Sequence, residues 1–317
     1  MIRYLTPGPV SHNSWKRFLT YPDPDGLLLP RMRGDQDFSR VVSSIRIGHM
    51  HKLTGAKRLC QVDHHLGEQL SSLRKPAVAF LDVGGSDGVT TLDTVRLLRE
   101  RLSVEVSACL LELYVRLIRY QRGWIREFRA RDGSPVMVCL GRIGLQLSSL
   151  SSSRDPLSRA LGAFYMSRDR FRTNMERSGE ISLIHPLAAA EPGIRVVEGD
   201  ALQRQPELVA RFDAARATNI FNLGYFPAEQ IQGAISHLHA YLHEGGFLAI
   251  SRNQVEKRGE VEHGSIWRRR GPRFVRIADW GNGSEVAALV DRHEQVVLDD
   301  AASRRSGCTT RQRKNDR

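Results

Sequence analysis

The chain has 317 residues, 41% of them hydrophobic, and a formal net charge of +12, which is enough apolar material for one large domain or a domain with a cap. No apolar run approaches the ~20 residues needed to span a bilayer, and Met1-Ile-Arg-Tyr-Leu-Thr-Pro-Gly-Pro lacks the apolar core of a secretory signal. A cytoplasmic protein without a membrane partner is expected. Cys60, Cys109, Cys139 and Cys308 are dispersed, which argues against a disulfide framework or a structural zinc site.

Residues 1–34, rich in Pro, Gly and Asp, read as an irregular arm. From Asp35 to Arg74 breakers are few, and two or three helices are expected, so residues 1–75 read as an arm plus a helical cap. His49, His51, Asp63, His64 and His65 lie here. Neighbouring helical residues diverge and no completing ligand is evident, so no metal is expected.

The main domain is expected over 76–300. Ala77 to Leu81 read as an apolar strand, and Leu92, Val95, Leu98 and Leu102 recur at helical spacing. Between them Asp82-Val-Gly84-Gly85-Ser86-Asp-Gly88 forms a strand-to-helix turn, where glycines admit positive φ and the first N–H groups of a helix favour a polar or anionic ligand. A second strand, Val104 to Leu111, ends at Glu112, at a distance from Gly88 suited to an acidic residue that accepts from ribose hydroxyls.

A hairpin with an Asp132-Gly133 turn is expected within 122–140, inserted before the next sheet strand. Ser148 to Ser153 reads as a linker. Ile194 to Asp200 and the strand beginning at Phe212 follow. Ile231, Ala234, Ile235, Leu238 and Leu242 then mark the clearest amphipathic helix, which Gly245-Gly246 would end in the left-handed region before a strand over Phe247 to Ser251. Ile266 to Ile277 reads as a hairpin around Gly271-Pro272. Ser284 is a candidate N-cap for a helix over Val286 to His293, and Gln295 to Leu298 is a candidate last strand.

In order and spacing, Asp82-x-Gly84-x-x-x-Gly88, Glu112, the Ile194 to Asp200 strand, Phe212-Asp213…Asn219-Ile-Phe-Asn222…Tyr225-Phe226 and Leu242-His-Glu-Gly-Gly-Phe-Leu248 resemble the class I S-adenosylmethionine (SAM)-dependent methyltransferases over about residues 77–251. The glycine turn departs from that family's usual D-x-G-x-G-x-G at Ser86, and Glu244 stands where proline is usual. The resemblance implies an α/β fold: a Rossmann-like, mostly parallel seven-stranded sheet with helices on both faces. It implies SAM as cofactor, with Asp82, Gly84, Gly85, Ser86, Gly88, Glu112, Asp200 and Asn219 as its binding residues, Asp200 near the adenine amino group. It also implies that Asn222 and Tyr225 face the acceptor, a small molecule or a protein side chain. No catalytic base is identified; His237, His239 and His243 on the helix after strand four read as solvated or packing residues. A non-catalytic SAM-binding relative is the alternative, followed by a nucleic-acid methyltransferase.

Nucleic acid is disfavoured because the charge is dispersed. All but six of the 47 basic residues are arginine, scattered along the chain, and a share of the excess falls in the tail, 301–317, which is expected to be disordered.

Overall fold

The computed structural model describes residues 35–47, 50–51, 59–141, 143–147, 156–256 and 259–293. The arm over 1–34, the Ser148 to Ser153 linker, the candidate strand Gln295 to Leu298 and the basic tail all lie outside the described residues. In chain order the elements are α1 (Asp35–Ser44), β1 (Arg46–Ile47), β2 (Met50–His51), α2 (Cys60–Ser71), β3 (Ala77–Val83), α3 (Val89–Leu102), β4 (Glu105–Glu112), β5 (Arg116–Arg122), β6 (Ile125–Arg129), β7 (Pro135–Leu140) and β8 (Ile143–Gln146). They continue as α4 (Pro156–Met166), α5 (Asp169–Thr173), β9 (Glu176–Ser182), α6 (Pro186–Ala190), β10 (Ile194–Glu198), β11 (Phe212–Thr218), α7 (Ala228–Tyr241), β12 (Leu242–Glu256), β13 (Gly259–Arg270), β14 (Arg273–Trp280) and α8 (Ala287–Asp291). No helix among the described residues is long and apolar enough to cross a membrane.

The chain divides into two compact units, one of Leu59–Gly85, Thr91–Leu113 and Glu191–Arg317, the other of Met1–Arg58, Ser86–Thr90 and Tyr114–Ala190. The first is built on a seven-stranded sheet in the order β10-β4-β3-β11-β12-β13-β14. Its first five strands pair in parallel, and β13 pairs antiparallel with both β12 and β14. The sheet is therefore mixed, and the expectation of a mostly parallel sheet is corrected at this edge. The expected hairpin around Gly271 supplies both final strands, because its two arms pair directly from Arg270↔Arg273 and β13 pairs with β12 along its length.

Burial on both sides follows from the parallel core, whose crossover segments cover the sheet. Val62, Leu66 and Leu70 of α2 and Val95 and Leu98 of α3 pack with Val78, Phe80, Ala108, Ala214 and Phe247. On the opposite face Ile231, Ala234, Ile235 and Leu238 of α7 and Leu289 and Val290 of α8 pack with Leu81, Val83, Leu111, Ala215 and Leu248. The periodicity read from α7 thus marks its buried face. The ending does not match: α7 stops at Tyr241, and Gly245, at φ +79°, lies inside β12, where the pairing with β11 shifts register between Phe212 and Ala214. The glycine makes a strand irregularity instead of a helix cap.

Within 1–75, α1 belongs to one unit and α2 to the other. The second unit holds an antiparallel sheet in the order β8-β7-β6-β5-β9. The expected hairpin is present as β6 and β7, with Gly133 at φ +81° and Ser134 N donating to Asp132 Oδ1 at 2.9 Å, but it is only the middle of five strands. Leu117, Phe128, Met137, Cys139 and Ile181 pack on one face with Ile45 and Ile47, while Val138, Leu145 and Tyr165 form a cluster on the other. Glu127 ties α4 and α5 to this sheet. It accepts two bonds of 3.0 Å from Arg172, one of 2.6 Å from Arg129 and one from the Tyr165 hydroxyl. Burial works to raise its pKa, but these donors together hold it below the usual glutamate value.

Gly264 shows how tightly α2 is fastened in the parallel-sheet unit. A Cβ there would lie 2.3 Å from Trp280 Cζ2 and 2.6 Å from Ser251 Cβ. The Trp280 ring crosses this glycine and stacks on His65 of α2 with centroids 4.7 Å apart. Replacing Gly264 by Ala should therefore destabilise the protein by about 1–3 kcal/mol through overpacking. Urea denaturation measures this, and an unchanged midpoint would show that the ring moves aside freely.

Candidate functional site

Four strand ends meet along the carboxyl edge of the parallel sheet in the order β10, β4, β3, β11. The register sets Val83 opposite Leu111 and Glu112 opposite Glu198, so the segments that follow these strands leave side by side. Gly84 takes φ +69° and donates its N–H to Leu111 O at 2.7 Å, which turns the chain over the end of β4. A Cβ at Gly85 would meet Asp82 Oδ2, Leu110 Cδ1 and Thr91 Oγ1 within 2.8 Å. Both glycines are therefore required by the close packing of the turn. The space over Gly84 is taken by Ile220, whose Cδ1 would lie 2.1 Å from an added Cβ.

Asp82 is placed differently from its sequence reading. Its Oδ1 accepts from Arg216 Nε at 3.1 Å, and its Oδ2 from Arg216 Nη2 at 2.5 Å and Thr91 Oγ1 at 2.6 Å. Arg216 Nη1 reaches Asp63 Oδ1 and Thr94 Oγ1, each at 2.5 Å, and Thr94 also donates to Asp63 at 2.9 Å. The Arg216 side chain is fully buried, and the Asp82 carboxylate anchors it. Burial alone would lower the Arg216 pKa, but Asp82 and Asp63 outweigh it and hold the group firmly protonated. For Asp63 burial wins over the attraction of Arg216, and its pKa rises to about 6. Glu262 of β13 borders this network: Oε2 accepts from Gln61 N and Val62 N at the start of α2, and burial raises its pKa.

The network has a sequence signal that motif reading passes over. Arg216 interrupts Ala214-Ala-Arg-Ala217, a strand buried at every position, and an arginine in such a strand requires carboxylate partners.

Of the other expected site residues, Glu112 is buried at the last position of β4. Asp200, two residues beyond β10, uses Oδ1 to accept from Leu202 N at 2.9 Å. Asn219 takes φ +60°, and its Oδ1 accepts from Asn253 N at 2.8 Å, so it locks the end of β11 to β12. Asn222 Oδ1 accepts from Gly224 N at 2.7 Å within its own turn, and Tyr225 stands 67% exposed. Ser86 and Gly88, at φ +60° and +86°, belong to the other unit, as does Asp87, whose carboxylate accepts from Ser39 Oγ of α1 at 2.5 Å and from Val89 N at 3.1 Å.

The histidines are dispersed. His64 pairs with Glu68 at 3.0 Å, and His65 stacks on Trp280. His243 meets Asp213 at 3.1 Å at the opposite end of β11. His239 contacts Phe274 edge-on and Gly271 O at 2.9 Å; burial and Arg269 lower its pKa to about 4. His49 lies outside the described residues.

No protein-family model matches the chain, and no curated protein matches it. Among solved structures it is similar to the CMeT domain of the citrinin polyketide synthase (18% identity, TM-score 0.31), the [4+2]-cyclase SpnF (13%, 0.29) and the trans-methyltransferase CalH in complex with S-adenosylhomocysteine (13%, 0.30). These alignments cover 63%, 67% and 60% of this chain, but only 35%, 52% and 36% of the respective structures. Strand order and register, not these similarities, define the fold.

Replacing Arg216 by Met should leave Asp63 and Asp82 buried without their cation and cost about 3–5 kcal/mol. Calorimetric unfolding tests this, and a loss below about 1 kcal/mol would mean that the carboxylates find other partners. Because the Asp63 pKa rises on folding, the native state holds a proton that the unfolded chain has released. Its contribution to stability is present below about pH 4 and is lost as pH rises to about 6, on the order of 2–3 kcal/mol. Asp63→Asn should remove this slope relative to the parent across the same window, as measured by denaturation at a series of pH values.

Proposed function

We propose that the chain is a class I SAM-dependent methyltransferase acting on a small-molecule or protein acceptor. The observation that carries the reading is the adjacency of the Gly84-Gly85 turn, Glu112 and Asp200 at the carboxyl ends of neighbouring parallel strands, the edge at which open α/β sheets take ligands. Glu112 is the acceptor for ribose hydroxyls in this reading, and the second oxygen of Asp200 is the one directed to an exocyclic amine. Asp82 and Asn219 act through others, Asp82 by holding Arg216 and Asn219 by fixing β12.

SAM, when bound, supplies a methyl group already activated on a sulfonium. What the protein must add is orientation of the acceptor and exclusion of water. The loop after β11 is suited to orienting the acceptor. Asn222 shapes its turn, Glu285 accepts from Leu223 N at 2.8 Å and holds it from outside, and Tyr225 is presented on its surface. A second reading, a relative without catalysis, is favoured by Ile220 filling the space over Gly84.

Isothermal titration with SAM and S-adenosylhomocysteine tests the first reading. The parent should bind both, and Glu112→Ala should weaken binding by about 1–3 kcal/mol through the unpaired sugar hydroxyls. No binding by the parent rejects the proposal. Binding with no transfer of labelled methyl to any component of a cell extract selects the non-catalytic reading.

A further inference from the structure

We propose that the antiparallel-sheet unit carries a docking surface for an anionic membrane, formed by α4, α5 and the turn between β5 and β6. This inference is independent of SAM binding. On α4, whose sequence contains no acidic residue, Ala160, Leu161, Ala163 and Phe164 face solvent, with Leu161 40% and Phe164 59% exposed. Trp124 in the β5–β6 turn is 66% exposed. Ile125 and Leu140, next to that turn, and Met166 and Phe171, at the end of α4 and in α5, all pack against one cluster of Val138, Leu145 and Tyr165, so both helices and the turn strands share that face of the sheet.

Four arginines accompany this apolar strip. The Arg168 guanidinium lies 4.5 Å from the Phe164 ring centroid, and that of Arg122 lies 4.8 Å from the Phe171 centroid. Arg159 and Arg170 are exposed beside them. None of the four pairs with a carboxylate among the described residues, whereas Arg116, Arg129, Arg172 and Arg177 of the same unit all do. Unpaired guanidiniums flanking exposed Trp, Phe and Leu match the boundary between phosphate headgroups and acyl chains. In this proposal the guanidiniums that lie over rings keep their stems on apolar surface and their heads at the headgroup level. A nucleic acid would use the arginines and the aromatic rings but offers nothing to Leu161 and its alanine neighbours, so the aliphatic strip decides for lipid.

The full chain should be sedimented with vesicles of phosphatidylcholine alone and of phosphatidylcholine with phosphatidylglycerol at roughly 3:1, in ~0.1 M salt. Alongside the parent, Leu161→Ser/Phe164→Ser, Arg168→Glu/Arg170→Glu and the turn variant Trp124→Ser should be compared, each checked for a cooperative melt. Binding to the anionic vesicles is expected, with weak binding to the neutral ones, and every folded variant should bind at least roughly tenfold less. If the helix variants fail to fold, Trp124→Ser carries the test alone. Equal binding to both vesicle types, or variants that bind as the parent does, would overturn the proposal. So would binding of a single-stranded oligonucleotide that the same variants lose, without vesicle binding by the parent, which would assign the surface to nucleic acid.

Discussion

One buried guanidinium organises the parallel-sheet unit. Arg216 of β11 touches Asp82 of β3, Asp63 of α2 and Thr94 of α3, so a central strand, its neighbour and both helices on that face converge on one side chain. Taking these charges out of water is costly, and only near-complete hydrogen bonding makes the arrangement tolerable. The planar fork of arginine suits it to this position, since one edge engages Asp82 twice while the remaining nitrogen serves Asp63 and Thr94. Two carboxylates around one cation leave a net negative charge, and Glu262 nearby adds to it. Burial is the main cause of the raised pKa of Asp63 and Glu262 even beside an arginine, and a neighbouring carboxylate, Asp82 for Asp63 and Asp63 for Glu262, adds to it.

The antiparallel-sheet unit inverts the same device. There a carboxylate, Glu127, is the buried centre and two arginines and a tyrosine surround it. The arginine-rich composition is therefore partly structural. Guanidiniums provide the contacts that fix strands to helices, Arg129 of the Glu127 cluster also lies over the Tyr120 ring, and Arg168 and Arg122 lie over Phe164 and Phe171. Those around α4 and α5 that have no carboxylate among the described residues are available for interaction.

The glycine turn depends on the Arg216 network from below. Asp82, drawn under the end of β3, receives Thr91 Oγ1, and that contact leaves no room for a side chain at Gly85. The ligand edge is thus shaped by a residue that does not face it. Its own polar equipment is narrower than the motif suggests, since Asn219 and Asn222 are engaged with the backbone and Glu112 and Asp200 stand at the strand ends.

Features with a short-range cause are legible in the chain alone. The apolar runs of β3, β4, β10 and β11, the buried stripe of α7, the glycine turn after Asp82 and the Asp132-Gly133 hairpin all follow from periodicity or turn chemistry within a few residues. Features that depend on distant partners emerge only on folding. Asp82 and Arg216 are 134 residues apart, and nothing near Asp82 announces the arginine that claims it. Strand β5 finds β9 beyond the intervening hairpin and helices, which turns a local hairpin into a five-stranded sheet. Gly245 suited a helix cap by local rules, but the register demanded by β11 placed it inside a strand. In each case several local conformations were open to the residue, and the burial of a charge or the pairing of a strand selected one.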